Sequence, residues 1–188
     1  MPHESMQSAT VPLEPWRSFL SELDCLLKGT VELRCLGGFV VTQQYGLGRE
    51  TSDIDFLSVI AQSPEDNIET LAGLGSALHR RYRLYMQHVT VATPPADYAS
   101  RMTRMFPGAD WKKLRLFALD ATDIALSKLE RNADRDREDF VRLTRAGHID
   151  PQNLKERYYA ELRPYLLSKH TWHDKTLELW LQMVQTSP

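Results

Sequence analysis

The chain has 188 residues, 23 basic and 25 acidic, for a formal net charge of −2, which suits one compact domain or one with a small helical appendage. Apolar residues at 42% and charged residues at 26% are globular proportions, and the near balance of charge excludes a globally basic nucleic-acid binder but not a local basic patch. No apolar run approaches the ~20 residues of a membrane span, and the first residues lack the charged-then-apolar order of a signal peptide, so a cytoplasmic protein without a membrane partner is expected.

Residues 1–13 read as a loose tail. From Pro15 to Leu27, the residues Trp16, Phe19, Leu20, Leu23 and Leu27 recur every three or four positions, which predicts a helix stopped by Gly29. Cys25 and Cys35 make no CxxC pair and fit idle thiols in a reducing compartment. Val31–Leu36 alternates as a strand and is broken by Gly37-Gly38. Phe39–Tyr45 is a short apolar helix or a continued strand, and seven residues do not decide which. A loop covers 46–52, followed by a strand over 53–60. Ile68, Leu71, Leu74 and Leu78 share one face of a predicted helix over 65–81. Tyr82–Tyr85 and Val89–Ala92 read as short strands, the second ended by Pro94-Pro95, and Leu114–Leu119 reads as another. From Asp120 onward the pattern is helical, over about 121–131, 135–146, 151–168 and 174–185. This order predicts an α/β or α+β core over 14–119 and a C-terminal helical part over 120–188 packed on it.

The most informative stretch runs from Leu36-Gly37-Gly38 to Arg49-Glu50-Thr51-Ser52-Asp53-Ile54-Asp55-Phe56-Leu57. Successive strand residues point to opposite faces, so Asp53 and Asp55 share a face while Ile54 turns to the core. Two adjacent carboxylates repel unless a cation lies between them. A hard divalent ion such as Mg²⁺ takes one or two carboxylates plus phosphate oxygens and water. The Gly-Gly turn leaves backbone N–H groups bare; if Phe39 opens a helix, they sit at its positive end and suit a phosphate. Alone, each element is commonplace: an ordinary turn and a solvated strand end. On consecutive elements they are more specific.

The second stretch runs from Leu119 to Asp139. Asp120 suits an N-cap and Asp123 the first turn of a helix. Ala121, Ile124, Ala125 and Leu129 form its apolar stripe, and at about 100° per residue Lys128 falls in the middle. On the next helix Phe140 and Leu143 mark the apolar face, with Asp136 on it one turn earlier and Asp139 close by. First-turn carboxylates and a structural ion pair account for these residues as well as a polar site between helices does. Basic residues gather at Arg80-Arg81-x-Arg83, Lys112-Lys113-x-Arg115 and Arg135-x-Arg137, each an ordinary solvated surface or part of a phosphate-binding face.

Taken together, Gly37-Gly38 and Asp53-Ile54-Asp55 resemble the signature of the nucleotidyltransferase superfamily related to DNA polymerase β. The run through Gly48-Arg49, Thr51, Asp53 and Asp55 is similar to small bacterial nucleotidyltransferases of the AbiEii and MenT type. Lys128 followed by Arg135-Asp136 and Asp139 matches the same group, and the likeness covers about residues 15–185. The resemblance implies a nucleotidyltransferase fold, a short mixed β-sheet with flanking helices and a C-terminal helical bundle. It implies transfer of a nucleoside monophosphate from an NTP to an acceptor: an RNA or tRNA end, a protein or a small molecule. A toxin-like role beside a cognate antitoxin follows from the same likeness. Asp53 and Asp55 would hold Mg²⁺ or Mn²⁺. Gly37, Gly38, Arg49, Thr51 and Lys128 would bind the nucleotide, and Asp136 would orient Lys128 or assist with the proton. The implied catalytic set is Asp53, Asp55, Lys128 and Asp136.

One departure bears on this. Many members carry a third carboxylate on a later strand facing the Asp pair, acting as general base. The matching strands here hold Gln87, His88 and Thr90 but no acid. Asp136, or less readily His88, would then take the proton. The alternative is a domain that binds nucleotide or RNA without turnover, in a regulatory or partner-binding role.

Overall fold

The computed structural model describes residues 9–47 and 50–186. Backbone contacts divide the chain into two compact units. One holds the chain up to Thr90 together with Met102–Ala118; the other holds Val91–Arg101 together with the chain from Leu119 onward. The architecture is mixed α/β, with flanking helices around the sheet of the first unit and a helical second unit. No helix among the described residues is long and apolar enough to cross a membrane.

In the first unit α1 (Trp16–Leu26) buries Trp16, Phe19, Leu20 and Leu23, the face its periodicity predicts. Two buried carboxylates fasten it. Asp66 accepts hydrogen bonds from Lys28 N and Gly29 N where the chain leaves the helix. Asp24 accepts from the backbone N–H groups of Lys112, Lys113 and Leu114. A buried carboxylate that takes several N–H donors has its desolvation offset.

Five strands among the described residues form one sheet: β1 (Val31–Leu36), β2 (Asp53–Ala61), β3 (Tyr85–His88), β4 (Thr103–Arg104) and β5 (Leu114–Ala118), in the order β3-β2-β1-β5-β4. β1 runs antiparallel to β2 and parallel to β5, β2 runs parallel to β3, and β4 runs antiparallel to β5. The central β1 alternates buried Val31, Leu33 and Cys35 with half-buried Glu32 and Arg34. The short apolar segment after the glycines is a helix, α2 (Gly37–Gln43), with Phe39 packed on Trp16 and Phe106.

Local chemistry corrects several predicted boundaries. The helix expected over 65–81 is two, α3 (Ile68–Ala72) and α4 (Ala77–Tyr82). Gly75 at φ +86 breaks it, and Ser76 restarts it by accepting from His79 N. Leu74, expected on the apolar face, is therefore exposed. In place of the two short strands expected over 82–85 and 89–92 there is one between them, β3: Arg83 turns left-handed at φ 60 to close α4, and residues 89–92 form no strand. β4 is only two residues long and leaves no periodic trace in the sequence.

The second unit contains a 3₁₀ turn (Tyr98–Arg101) and helices α5 (Ala121–Ser127), α6 (Asp134–Arg145), α7 (Pro151–Arg157) and α8 (His170–Thr186). α5 is shorter than its predicted span, with Lys128 as its C-cap and Asn132 at φ 46 beyond. The helix expected over 151–168 ends as α7; a π turn over Tyr158–Leu162 and a 3₁₀ turn over Arg163–Tyr165 follow, the latter holding Pro164. Leu129, Phe140, Leu143, Leu154, Tyr158 and Trp180 are buried in this unit.

Candidate functional site

Asp53 and Asp55 open β2 and are both half-buried, while Ile54 and Phe56 between and after them are buried. The pleat thus turns both carboxylates to one face, as the spacing predicts. Each has a neutral hydrogen-bond donor. Thr51 Oγ1 donates to Asp53 Oδ1 at 2.5 Å, and Gln87 Nε2 donates to Asp55 Oδ1 at 2.7 Å.

The two glycines play different parts. Gly37 is buried at φ +82, a conformation that L side chains rarely adopt. A Cβ there would lie 2.5 Å from Asp55 Oδ2. The absence of a side chain at 37 is thus what lets the carboxylate lie against the backbone. At Gly38 a Cβ would meet Thr51 at 3.5 Å, an ordinary contact. α2 has only seven residues, so its N-terminus is a weak basis for the phosphate expectation. Arg49, expected to offset phosphate charge, lies outside the described residues.

The donor set suits Mg²⁺ or Mn²⁺: both groups are hard carboxylate oxygens on one face, and Asp55 is seated over a position where a Cβ would intrude. Among the described residues there is no group of three or more His, Cys, Asp and Glu that could hold a metal.

Two neighbours line up with the pair: Gln87, expected on the facing strand, and Tyr85, which was not foreseen there. In the parallel register Tyr85 stands opposite Asp53, and Gln87 stands opposite Asp55. Burial, and then the charges of Asp53 and Asp55, push the Tyr85 phenol above its ordinary value. The exact pairing depends on a register between residues 32 apart in the chain, which periodicity does not carry. His88, weighed as a base, stacks on Phe56 with ring centroids 5.4 Å apart, and its Nε2 lies 2.9 Å from Leu57 O. Cys35 is fully buried; burial and then the Asp55 charge raise its thiol far out of the reactive range.

In the second unit Lys128, Asp136 and Asp139 do come together, as helical arithmetic predicts. All three are buried or nearly so, with Lys128 Nζ 3.5 Å from Asp136 Oδ1 and 3.9 Å from Asp139 Oδ2. Asp136 also takes a two-pronged contact from Arg131, at 2.8 and 2.5 Å, and returns to Ala133 N at the start of α6. Burial favours its protonated form. The Arg131 hydrogen bonds and the Lys128 and Arg131 charges outweigh burial and hold the carboxyl below its ordinary range.

Asp123 is a first-turn carboxylate of α5, as expected, and is also fully buried between two guanidinium groups. Arg101 contacts it through two nitrogens at 2.9 and 3.1 Å, and Arg157 does so at 2.9 Å. Arg101 continues to Glu161 and Arg157 to Asp120. Asp120 caps α5 through Thr122 N, as expected.

Residues 21–186 match the family described as "nucleotidyltransferase of unknown function (DUF6036)", and the chain belongs to that family. No curated protein and no solved structure matches the chain.

Proposed function

We propose that this protein transfers a nucleoside monophosphate from an NTP to an acceptor, at a divalent-cation site made by Asp53 and Asp55. The carrying observation is the pair itself: two half-buried carboxylates on one face, each receiving a neutral donor, with Asp55 seated over Gly37. Mg²⁺ or Mn²⁺, when bound there, supplies charge neutralisation on phosphate oxygens. The chain's own part is positioning. Thr51 and Gln87 fix the carboxylates, and Gly37 removes the side chain that would push Asp55 aside. In the second unit the carboxylates of Asp136 and Asp139 hold the Lys128 ammonium in place. Asp136 suits that orienting role better than proton abstraction, because its oxygens already receive Arg131 and Ala133 N.

The likeness to AbiEii- and MenT-type enzymes supports an RNA or tRNA end, or a protein, as acceptor, and a toxin-like role with an antitoxin partner. A second reading, nucleotide or RNA binding without turnover, is favoured by one observation: the residue touching Asp55 from β3 is an amide, not an acid.

The test is incubation with each labelled NTP, Mg²⁺ and total RNA, protein or aminoglycoside acceptors. We expect label transfer by the wild type and none by Asp53→Asn with Asp55→Asn. Cation-dependent NTP binding without transfer would establish the second reading. Equal cation-dependent binding by the double variant would overturn the cation site at Asp53 and Asp55.

A further inference from the structure

We propose that Gln87 is a positioning residue that keeps the cation site at two carboxylates, so that the cation is held only when it arrives with the triphosphate. The inference rests on the reading of Asp53 and Asp55 given above. Gln87 pairs with Asp55 across the parallel ladder of β2 and β3, so both side chains leave the sheet on the same face. Its Nε2 donates to Asp55 Oδ1 at 2.7 Å, while Asp55 Oδ2 lies against Gly37 on the other side. The carboxylate is gripped from both directions. Thr51 Oγ1 grips Asp53 in the same way.

Both clamps are neutral. They set the direction of a carboxylate without adding a negative charge. This face presents two carboxylates to a cation, each with one oxygen engaged by a donor. A hard divalent ion wants about six oxygen ligands and gives up its water reluctantly, so a site of this kind is completed by the oxygens and charge of substrate phosphates. A glutamate at 87 is nearly isosteric with the glutamine. It would put a third full charge one ladder rung from Asp55 and remove the donor that now holds it. Coulomb attraction between a divalent ion and one further carboxylate at contact range is worth at least about tenfold in affinity even in water.

The experiment titrates Mn²⁺ alone into wild type, Gln87→Glu and Gln87→Ala, following the free-ion electron paramagnetic resonance signal. It then repeats the titration with inorganic triphosphate, read by calorimetry. Gln87 is exposed near the edge of the sheet, and circular dichroism checks that each variant is folded. Without triphosphate, wild type and Gln87→Ala should bind Mn²⁺ weakly and alike, and Gln87→Glu at least about tenfold tighter. Adding Asp55→Asn to Gln87→Glu should erase that gain. With triphosphate, the wild type should hold Mn²⁺ firmly, and Gln87→Ala should do so several-fold less well at an unchanged urea midpoint, because Asp55 has lost its clamp. Gln87→Glu no tighter than Gln87→Ala for Mn²⁺ alone, or wild type already as tight as Gln87→Glu, would overturn the role of Gln87 while leaving the Asp pair standing. Wild type that binds Mn²⁺ with triphosphate no better than Asp53→Asn with Asp55→Asn would overturn the cation site and this inference with it. Should Gln87→Glu not fold, Gln87→Ala with triphosphate decides: binding equal to wild type overturns the clamp.

Discussion

Asp55 in the sheet unit and Asp136 in the helical unit are the same side chain in opposite settings. Asp55 is half-buried and receives an uncharged amide. Asp136 is 1% exposed and receives a guanidinium and an ammonium. The same contrast separates Asp53, held by a hydroxyl, from Asp123, held by two arginines. A carboxylate already neutralised by buried cations stabilises its surroundings and has little charge left to offer. A carboxylate oriented by neutral donors keeps its charge for something else. Burial and formal charge thus sort structural acids from candidate ligands, whereas the mere presence of Asp pairs in the sequence does not.

The contrast can be broken by stability measurements, ranked here by expected effect on the free energy of unfolding. Asp123→Ala should cost the most, about 3–5 kcal/mol, because it strands Arg101 and Arg157 beside an empty buried site. A urea midpoint close to wild type would show the arginines are satisfied without it. Gly37→Ala comes next, at about 2–3 kcal/mol, from left-handed backbone strain plus the encounter with Asp55 Oδ2. It should also weaken cation-dependent triphosphate binding, which a purely structural glycine would not do.

Two pH windows give smaller effects. The His173 imidazole is buried, its Nδ1 has no hydrogen-bond partner, and its Nε2 lies 4.0 Å from Glu130. Burial lowers its proton affinity more than the Glu130 charge raises it, with Lys169 adding to the lowering. The unfolded chain therefore binds a proton that the folded one resists, so stability should fall as pH drops below the ordinary imidazole value of about 6.5. His173→Gln should flatten the urea midpoint between pH 7.5 and 5.5. Asp136 works in a separate window. Its folded carboxyl is held below the ordinary range, so its contribution is complete at neutral pH and is lost as pH falls below about 4 towards the folded value. Asp136→Asn should remove that acid-limb loss.

The smallest stability effect sharpens the contrast most. Asp53→Asn with Asp55→Asn should shift the unfolding free energy by less than about 1 kcal/mol, since both groups are only half-buried. The same pair of changes should abolish cation-dependent triphosphate binding by calorimetry. A loss of several kcal/mol would instead place these acids with Asp123 as structural.

Local pattern alone determined a good part of this protein. The three-and-four spacing of Trp16, Phe19, Leu20 and Leu23 defines α1, and the alternation in β1 and β2 sets which side Asp53 and Asp55 face. Helical arithmetic put Lys128, Asp136 and Asp139 on the core-facing sides of their helices. All of these depend on neighbours within a few residues, where period and covalent geometry suffice. The break at Gly75 and the left-handed Arg83 escaped, because a periodic face says nothing about where the backbone changes hand. Tertiary structure alone decided the partners: Tyr85 and Gln87 beside the Asp pair through a parallel register, and Arg101 and Arg157 around Asp123 from segments 22 and 34 residues away in the chain. The same residue type became a buried counter-ion in one place and a half-buried ligand candidate in another. Charge and solvent access at a side chain come from what the fold brings to it, and no local spacing encodes that.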